Sequence, residues 1–246
     1  MSAASSGNPR RLLRPTVFAV PVLLVLVGLG LWQLQRLQWK EGILARIEER
    51  LHGPAQPLPA PATWPALAAS DFEYTRVEAR GVFDHKREML LFRPAGGVEK
   101  QPGFHVYTPF QLDGSGRWII VNRGFVPESL RAADTRRQGQ VEGPVAVTGV
   151  LRAAESRSTF TPADDAARRL WYTRDPLAMA KAAGLAEAAP FTIDADETPN
   201  PGGWPRGGAA VVRIPNDHLS YALTWFGLAG TLVGVYLVFA WRQLRS

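Results

Sequence analysis

The sequence predicts an α+β membrane protein in which two transmembrane helices flank a mainly antiparallel β domain with one short helix. Two long runs without a charged residue, 16–34 and 219–240, predict the transmembrane helices. At ~1.5 Å rise per residue, each run covers roughly the ~30 Å hydrocarbon layer of a bilayer. Between them, short segments rich in β-branched and aromatic residues are separated by Gly, Pro and Asp, which is typical of half-buried antiparallel strands.

The arginines at the two ends predict the orientation of the chain. The tails 1–15 and 241–246 contain no acidic residue, and their arginines supply most of the net charge of +6: Arg10, Arg11, Arg14, Arg242 and Arg245. Basic tails mark the cytoplasmic side of membrane spans. Both tails are therefore predicted in the cytoplasm and the middle of the chain on the other side, and the basic charge is assigned to membrane topology rather than to nucleic-acid binding.

The first apolar run is predicted to stay on the protein as a signal anchor. Its apolar core is longer than the ~7–15 residues of a cleaved signal peptide, and no A-x-A-like site follows. The tail is rich in Ser and Arg, so a transit peptide remains an alternative. A helical repeat of apolar residues continues through 35–52 as a membrane-proximal extension and stops at Gly53-Pro54. Residues 53–66 are predicted to form an extended, proline-rich linker.

The β-rich domain is predicted over 67–218. Its candidate strands are the segments FEYTRVEARGVF, EMLLFRP, GFHVYTPFQL, RWIIVNRGFVP, VAVTGVLRA, APFTIDAD and AAVVRIP. One helix is predicted near 176–183, because Asp175 suits an N-cap, Pro176 the first helical position and Gly184 the C-terminal end. The loop ETPNPGGWPRGG before the last strand is expected close to the membrane.

Composition and motifs argue against an enzyme. The chain has no cysteine, which excludes disulfides and thiolate metal sites. No G-x-S-x-G, H-E-x-x-H or P-loop motif is present, and no two of the four histidines (His52, His85, His105 and His218) stand at metal-ligand spacing. The sequence therefore predicts a protein without a catalytic site.

The strongest candidate binding residue is His218, which stands one position before the second apolar run. His218, Tyr221 and Trp225 share one helical face, at spacings i, i+3 and i+7. The positive end of a helix dipole disfavours a charged imidazole, and a neutral imidazole is what a metal ion requires. Asp217 is a candidate acceptor that orients the ring. The alternative is a polar side chain at the level of the lipid headgroups.

Three further features have both a structural and a functional interpretation. Arg36 lies between Trp32 and Trp39 on one helical face, as an interfacial anchor or as a ligand-binding surface. Arg123, in VNRGFVP, is either a surface arginine at a turn or the partner of a carboxylate. The small-xxx-small motif Gly230–Gly234 predicts close helix packing, with the first span at Gly28 and Gly30 or with another membrane protein.

Several of these motifs together resemble the surfeit-locus family of cytochrome c oxidase assembly factors. The resemblance rests on LGLWQLQRLQWK, VNRGFVP, FTPADDAARRLWYTRD and PNDHLSYALTWF, in this order along nearly the whole chain. Phe125 stands where tryptophan is common in the family. The long, alanine-rich chain without cysteine is more similar to the bacterial members than to the mitochondrial ones.

The resemblance implies a non-catalytic factor of the bacterial inner membrane that binds haem a transiently and assists its delivery to oxidase subunit I. It implies that His218 holds the haem iron, with Tyr221 and Trp225 as aromatic walls. Arg36 and Arg123 are candidate partners of the haem propionates, by charge alone. Haem a synthase is a further candidate partner, and membrane lipid is the surrounding medium. The alternative is a scaffold that binds no haem and stabilises an oxidase assembly intermediate.

Overall fold

The computed structural model describes residues 10–93, 101–208 and 216–245. The chain divides into two compact units, one formed by Met1–Arg46 with Ile214–Ser246 and the other by Ile47–Arg213. We call them the helical unit and the sheet unit. The described elements are α1 (Arg10–His52), β1 (Gln56–Pro57), α2 (Ala69–Phe72), β2 (Arg76–Phe83), β3 (Met89–Arg93), β4 (Gly103–Leu112), β5 (Trp118–Pro127), β6 (Val145–Arg152), β7 (Leu170–Trp171), α3 (Pro176–Ala182), β8 (Ala188–Ala195) and α4 (His218–Arg245).

Helices α1 and α4 are long and apolar enough to cross a membrane. Only a small share of their apolar stretches is buried inside the protein, unlike the core helix of a soluble domain. The predicted class, a membrane protein with two terminal helices around a β domain, is confirmed. As predicted, α1 continues beyond its apolar run as one helix and ends at His52, directly before Gly53-Pro54.

The proline-rich segment after α1 is more ordered than the sequence indicates. Gln56–Pro57 pairs in parallel with Val77–Glu78 of β2, and Pro61–Ala66 forms a 3-10 helix. Trp64 within that helix is buried in the core, and its indole Nε1 donates to the carbonyl oxygen of Pro59 at 2.9 Å. A buried tryptophan thus fixes a segment that composition alone predicts as an extended linker.

The strands form one sheet that closes on itself. Their order is β1-β2-β6-β8-β5-β4-β3-β7, and an additional antiparallel pairing joins β2 to β4. Strands β2, β6, β8, β5 and β4 therefore make a barrel-like ring. Five of the pairings are antiparallel (β2–β4, β2–β6, β3–β4, β4–β5 and β6–β8), and three are parallel (β1–β2, β3–β7 and β5–β8). Closure leaves fewer sheet edges open to pairing with another chain.

The main apolar core takes side chains from all five strands of the ring, including Val77, Phe110, Val121, Leu151 and Phe191. A second cluster packs α3 against the sheet through Met179, with Met89, Leu91, Tyr107, Ile120 and Trp171. Alternating burial along β2 agrees with the sequence pattern, because Val77 and Ala79 are buried whereas Glu78 and Arg80 are exposed. These contacts hold together a sheet unit that has no cysteine for disulfides.

Most of the predicted elements are found close to their predicted bounds. The predicted strand GFHVYTPFQL is β4 to the residue, and α3 begins at Pro176 with the Asp175 carboxylate accepting from the backbone N of Ala178 at 3.0 Å. The first predicted strand begins later than expected, at Arg76, because Ala69–Phe72 forms a short helix instead. The predicted strand AAVVRIP (209–215) lies outside the described residues.

Candidate functional site

A hydrogen-bonded pair of polar side chains joins the two long helices. α4 begins at His218, whose ring atom Nδ1 lies 2.8 Å from the amide oxygen Oε1 of Gln33 on α1. Gln33 is only 9% exposed, although it stands in an apolar span. An amide oxygen can only accept, so Nδ1 is the donor in this pair, and in the neutral ring Nε2 then presents its lone pair. This is the arrangement in which protein imidazoles bind metal ions, with the second nitrogen donating to an oxygen.

The antiparallel packing of α1 and α4 places this pair. A Cβ on Gly30 would lie 2.6 Å from the ring of Phe226, so a larger residue at this position would require the ring to move. Further along, the hydroxyls of Thr16 and Tyr236 form a hydrogen bond. Gly30 lies three residues before Gln33, on the same side of α1, so the close approach brings Gln33 opposite the first residue of α4.

The prediction that Gly230–Gly234 packs against the first span is wrong. Both glycines are exposed, and a Cβ added to either, or to Gly28, would meet nothing within 4 Å. Ala222 and Ala229 are the buried small residues of α4. They lie on the side of α4 that carries His218, whereas the glycine motif lies on another face.

The structure also replaces the predicted partner of the His218 ring. Asp217 is exposed, and its backbone carbonyl accepts from the N–H of Tyr221 at 3.1 Å, within the first turn of the helix. The Nδ1 atom of His218 is instead bound to Gln33. The sequence did contain a signal for Gln33, because an amide side chain within an apolar span needs a hydrogen-bond partner.

The other predicted site residues have separate surroundings. Tyr221 is 57% exposed, and Trp225, one turn further along α4, is half-buried. Arg36 is exposed on α1, with its guanidinium carbon 3.9 Å from the centre of the Trp39 ring. A cation on an aromatic face fits the anchoring interpretation of Trp32, Arg36 and Trp39.

Arg123 lies in the sheet unit, and its described partners belong to that unit. It is only 2% exposed, so the interpretation as a surface arginine is wrong. Its Nη2 donates to the backbone carbonyl of Gly139 and to Oδ1 of Asn200, the latter at 2.9 Å, and its guanidinium lies 4.9 Å from the Phe83 ring. Burial lowers the pKa of Arg123 to about 10, so the side chain is charged at neutral pH.

A buried network of charged residues in the sheet unit was not predicted. Asp194, 5% exposed, accepts from Asn122 at 3.0 Å and from Arg152 at 3.3 Å. Arg174 lies 4.0 Å from Asp194 and 3.4 Å from Glu155. Asn122 also lies 3.1 Å from Nδ1 of His105, and burial lowers the pKa of His105 to about 4, which keeps this ring neutral. No short motif marks these residues, because they come from distant segments.

Comparison with known proteins gives one consistent match. The sequence profile described as the SURF1 family matches residues 20–230. Surfeit locus protein 1 of Mus musculus is 40% identical over 213 residues, which cover 82% of this chain and 67% of the relative. Surfeit locus protein 1 of Homo sapiens is 36% identical over 241 residues, 93% of this chain and 77% of the relative. A SURF1-like protein of Monosiga brevicollis is 38% identical over 230 residues, 90% and 85% respectively.

Proposed function

Because the chain belongs to the SURF1 family, we propose that it is a membrane-bound assembly factor for haem-copper cytochrome c oxidase. The proposed role is non-catalytic: the protein binds haem a transiently and assists its delivery to oxidase subunit I. Haem a synthase is the proposed partner that supplies the haem a. The family membership and the resemblance of the linked motifs support the assembly role, and the helical unit supports the haem-binding part.

The observation that carries the haem proposal is the His218–Gln33 pair. Gln33 Oε1 accepts from Nδ1 at 2.8 Å, which in the neutral ring favours the tautomer whose Nε2 can ligate iron. When bound, haem would supply an iron that an imidazole can ligate, together with an apolar macrocycle that carries two carboxylates. Tyr221 and Trp225 follow His218 on the same helix and offer aromatic surface for such a macrocycle. Arg36 is the proposed propionate partner in this unit. Arg123, in the sheet unit, is considered by itself as a proposed partner of a carboxylate.

Replacement of His218 tests this proposal. The full-length protein, purified in mild detergent from a host that makes haem a, is expected to show a Soret band. His218→Ala should keep normal abundance, because the apolar span is unchanged, and should lose or shift the band. Gln33→Leu should weaken haem affinity by about 10–100-fold, since it removes the acceptor that orients the ring but leaves the ligand in place.

His52→Ala is the matched control, because the His52 side chain is 79% exposed at the end of α1 and pairs only with Glu48 among the residues described. It should change neither the spectrum nor oxidase activity. An unchanged Soret band in His218→Ala would exclude axial ligation by this residue. A wild-type protein that never carries haem in the haem-a-producing host would favour the scaffold alternative, in which the two units stabilise an assembly intermediate.

We further propose that the protein lies in the bacterial inner membrane, with both tails in the cytoplasm and the sheet unit in the periplasm. The basic residues Arg14, Arg242 and Arg245, in the terminal turns of the two helices, support this orientation. A reporter that is active only in the periplasm is expected to work when inserted at Ser156, which is exposed in the sheet unit, and to fail at the C-terminus. The reverse pattern of activity would exclude this topology.

A further inference from the structure

The sheet unit contains a cavity of about 180 Å³ beside Arg123. It forms where β2, β5 and β6 meet the segment that follows β8. Its lining includes Phe83, Arg123, Val147, Thr148, Asp196 and Asn200. An aromatic ring, a cation, hydroxyl groups and an amide therefore border one small space, which is the mixture of apolar walls and few polar groups typical of ligand sites.

Arg123 is a buried cation without a carboxylate partner among the described residues. Within the described part of the chain, its Nη2 donates to the neutral oxygens of Gly139 and Asn200, and its Nη1 has no hydrogen-bond partner. Glu88, the carboxylate whose charge acts on Arg123, is bound through both oxygens by Arg136. An unsatisfied buried donor on a charged group is costly. The unpaired Arg123 guanidinium is therefore best explained as a binding group for an external ligand.

The charge balance selects a singly charged anion. Arg123 and Arg136 share one carboxylate, that of Glu88, which leaves one positive charge uncompensated. Asp196 also lines the cavity, but its oxygens are already engaged: Oδ1 accepts from the backbone N and the hydroxyl of Thr198, and Oδ2 lies 3.6 Å from Arg76. Guanidinium groups match the planar geometry of carboxylates. A carboxylate fits this site better than a doubly charged phosphate.

The cavity wall is held in place before any ligand arrives. The segment 196–208 is pinned to β5 by two hydrogen bonds between Phe125 and Arg206, at 2.8 and 3.0 Å. Asn200 connects the two sides, since it accepts from Arg123 and donates to the carbonyl of Pro205 at 2.6 Å. A wall fixed in this way loses little conformational freedom when a ligand binds.

We infer that this cavity binds the carboxylate group of an organic ligand, with Arg123 as its cation and Thr148 and Asn200 as neutral polar contacts. The inference is independent of haem ligation by His218. The carboxylate can come from a porphyrin propionate or from an acidic side chain of a partner peptide, and both present the same planar anion.

The test uses the full-length protein in detergent and propionate as the probe, with propionamide as the neutral analogue of equal shape. Thermal unfolding is followed by tryptophan fluorescence at constant ionic strength. Propionate is expected to raise Tm saturably, by about 3 °C at ten times its Kd, and propionamide is not. An equal rise with propionamide, or no rise with propionate, would overturn the inference.

Substitutions test whether the rise in Tm caused by propionate depends on this cavity. Arg123→Gln is expected to abolish it, whereas Arg80→Gln, which removes an arginine with a 74% exposed side chain, should keep it. Thr148→Asp introduces a carboxylate into the cavity wall, which should repel propionate and abolish the rise in Tm while the protein stays folded. This variant tests the inference even if Arg123→Gln fails to fold. His218→Ala should retain the response. Retention in Arg123→Gln or Thr148→Asp, or loss in His218→Ala, would contradict the assignment to this cavity.

Two competitors separate the sources of the carboxylate. A porphyrin with free propionates, compared with its dimethyl ester, tests the porphyrin source, and an acetylated peptide that contains aspartate, compared with its asparagine analogue, tests the peptide source. Competition by the acid form alone, in either pair, supports the site and identifies the source. Competition by the neutral member of a pair as strongly as by the acid would argue against a carboxylate site.

Discussion

Asp194→Asn is expected to lower the free energy of unfolding of the sheet unit by about 3 kcal/mol, because it removes the most buried of the carboxylates near Arg152 and Arg174, which then keep only Glu73 at 3.8 Å and Glu155 at 3.4 Å. Asp194 is 5% exposed and lies 3.3 Å from Arg152 and 4.0 Å from Arg174, both with side chains that are mostly buried. The substitution preserves the shape of the side chain and one acceptor oxygen for Asn122, so that the change isolates the charge. Stability of a domain totals only ~5–15 kcal/mol, so this loss is large.

Thermal unfolding of the full-length protein, followed by near-ultraviolet circular dichroism, measures this effect as a fall in Tm of about 10 °C. Glu78→Gln is the matched control, because it removes one negative charge from β2 at a side chain that is 48% exposed and pairs with Arg80 at 3.5 Å. Exposed pairs of this kind contribute ~1 kcal/mol or less. Similar Tm values for the two variants would show that the network around Asp194 does not stabilise the fold.

The sequence predicts elements well where local chemistry determines them. The bounds of β4 follow from a run of β-branched and aromatic residues between Gly103 and the LDGSGR turn, and α3 follows from Asp175, Pro176 and Gly184. The pairing of strands depends instead on contacts between distant residues. Nothing local indicates that β5 and β8 run parallel, or that Phe83 meets Phe110 and closes the ring. The two-residue strands β1 and β7 are too short to give a pattern.

The sequence identifies individual residues of the candidate site, but it does not identify the residues that they contact. His218 stands out because a titratable ring at the mouth of an apolar run is unusual, but its partner Gln33 is 185 residues away along the chain. The sequence predicts close packing of Gly230–Gly234 against Gly28 and Gly30. Gly30 does lie at the close approach, but its neighbour is Phe226, and the other three glycines meet nothing within 4 Å. Which face of a helix packs depends on the shape of the other helix, and an apolar span carries small residues on several faces.

Gly124→Ala is expected to destabilise the sheet unit by about 4 kcal/mol or more and to release the segment 196–208, because the added methyl group has no room. Gly124 has φ +120°, and its Cβ would lie 1.9 Å from the backbone oxygen of Arg206, an atom that cannot move without breaking its 2.8 Å hydrogen bond to Phe125. Release would detach Asn200 from Arg123 and open the carboxylate cavity.

Gly114→Ala provides the comparison for Gly124→Ala, because Gly114 also has a positive φ, +73°, but a Cβ there would meet nothing within 4 Å. This control should cost only the backbone strain of an alanine at positive φ, ~1 kcal/mol. Tm and the rate of limited proteolysis within 196–208 measure the two effects separately. If the close contact between β5 and Arg206 is the reason that position 124 requires glycine, Gly124→Ala should accelerate cleavage within 196–208 and Gly114→Ala should not. Equal cleavage rates in the two variants would contradict this explanation. They would mean that other contacts hold the segment 196–208 and that the whole segment shifts to make room for the methyl group.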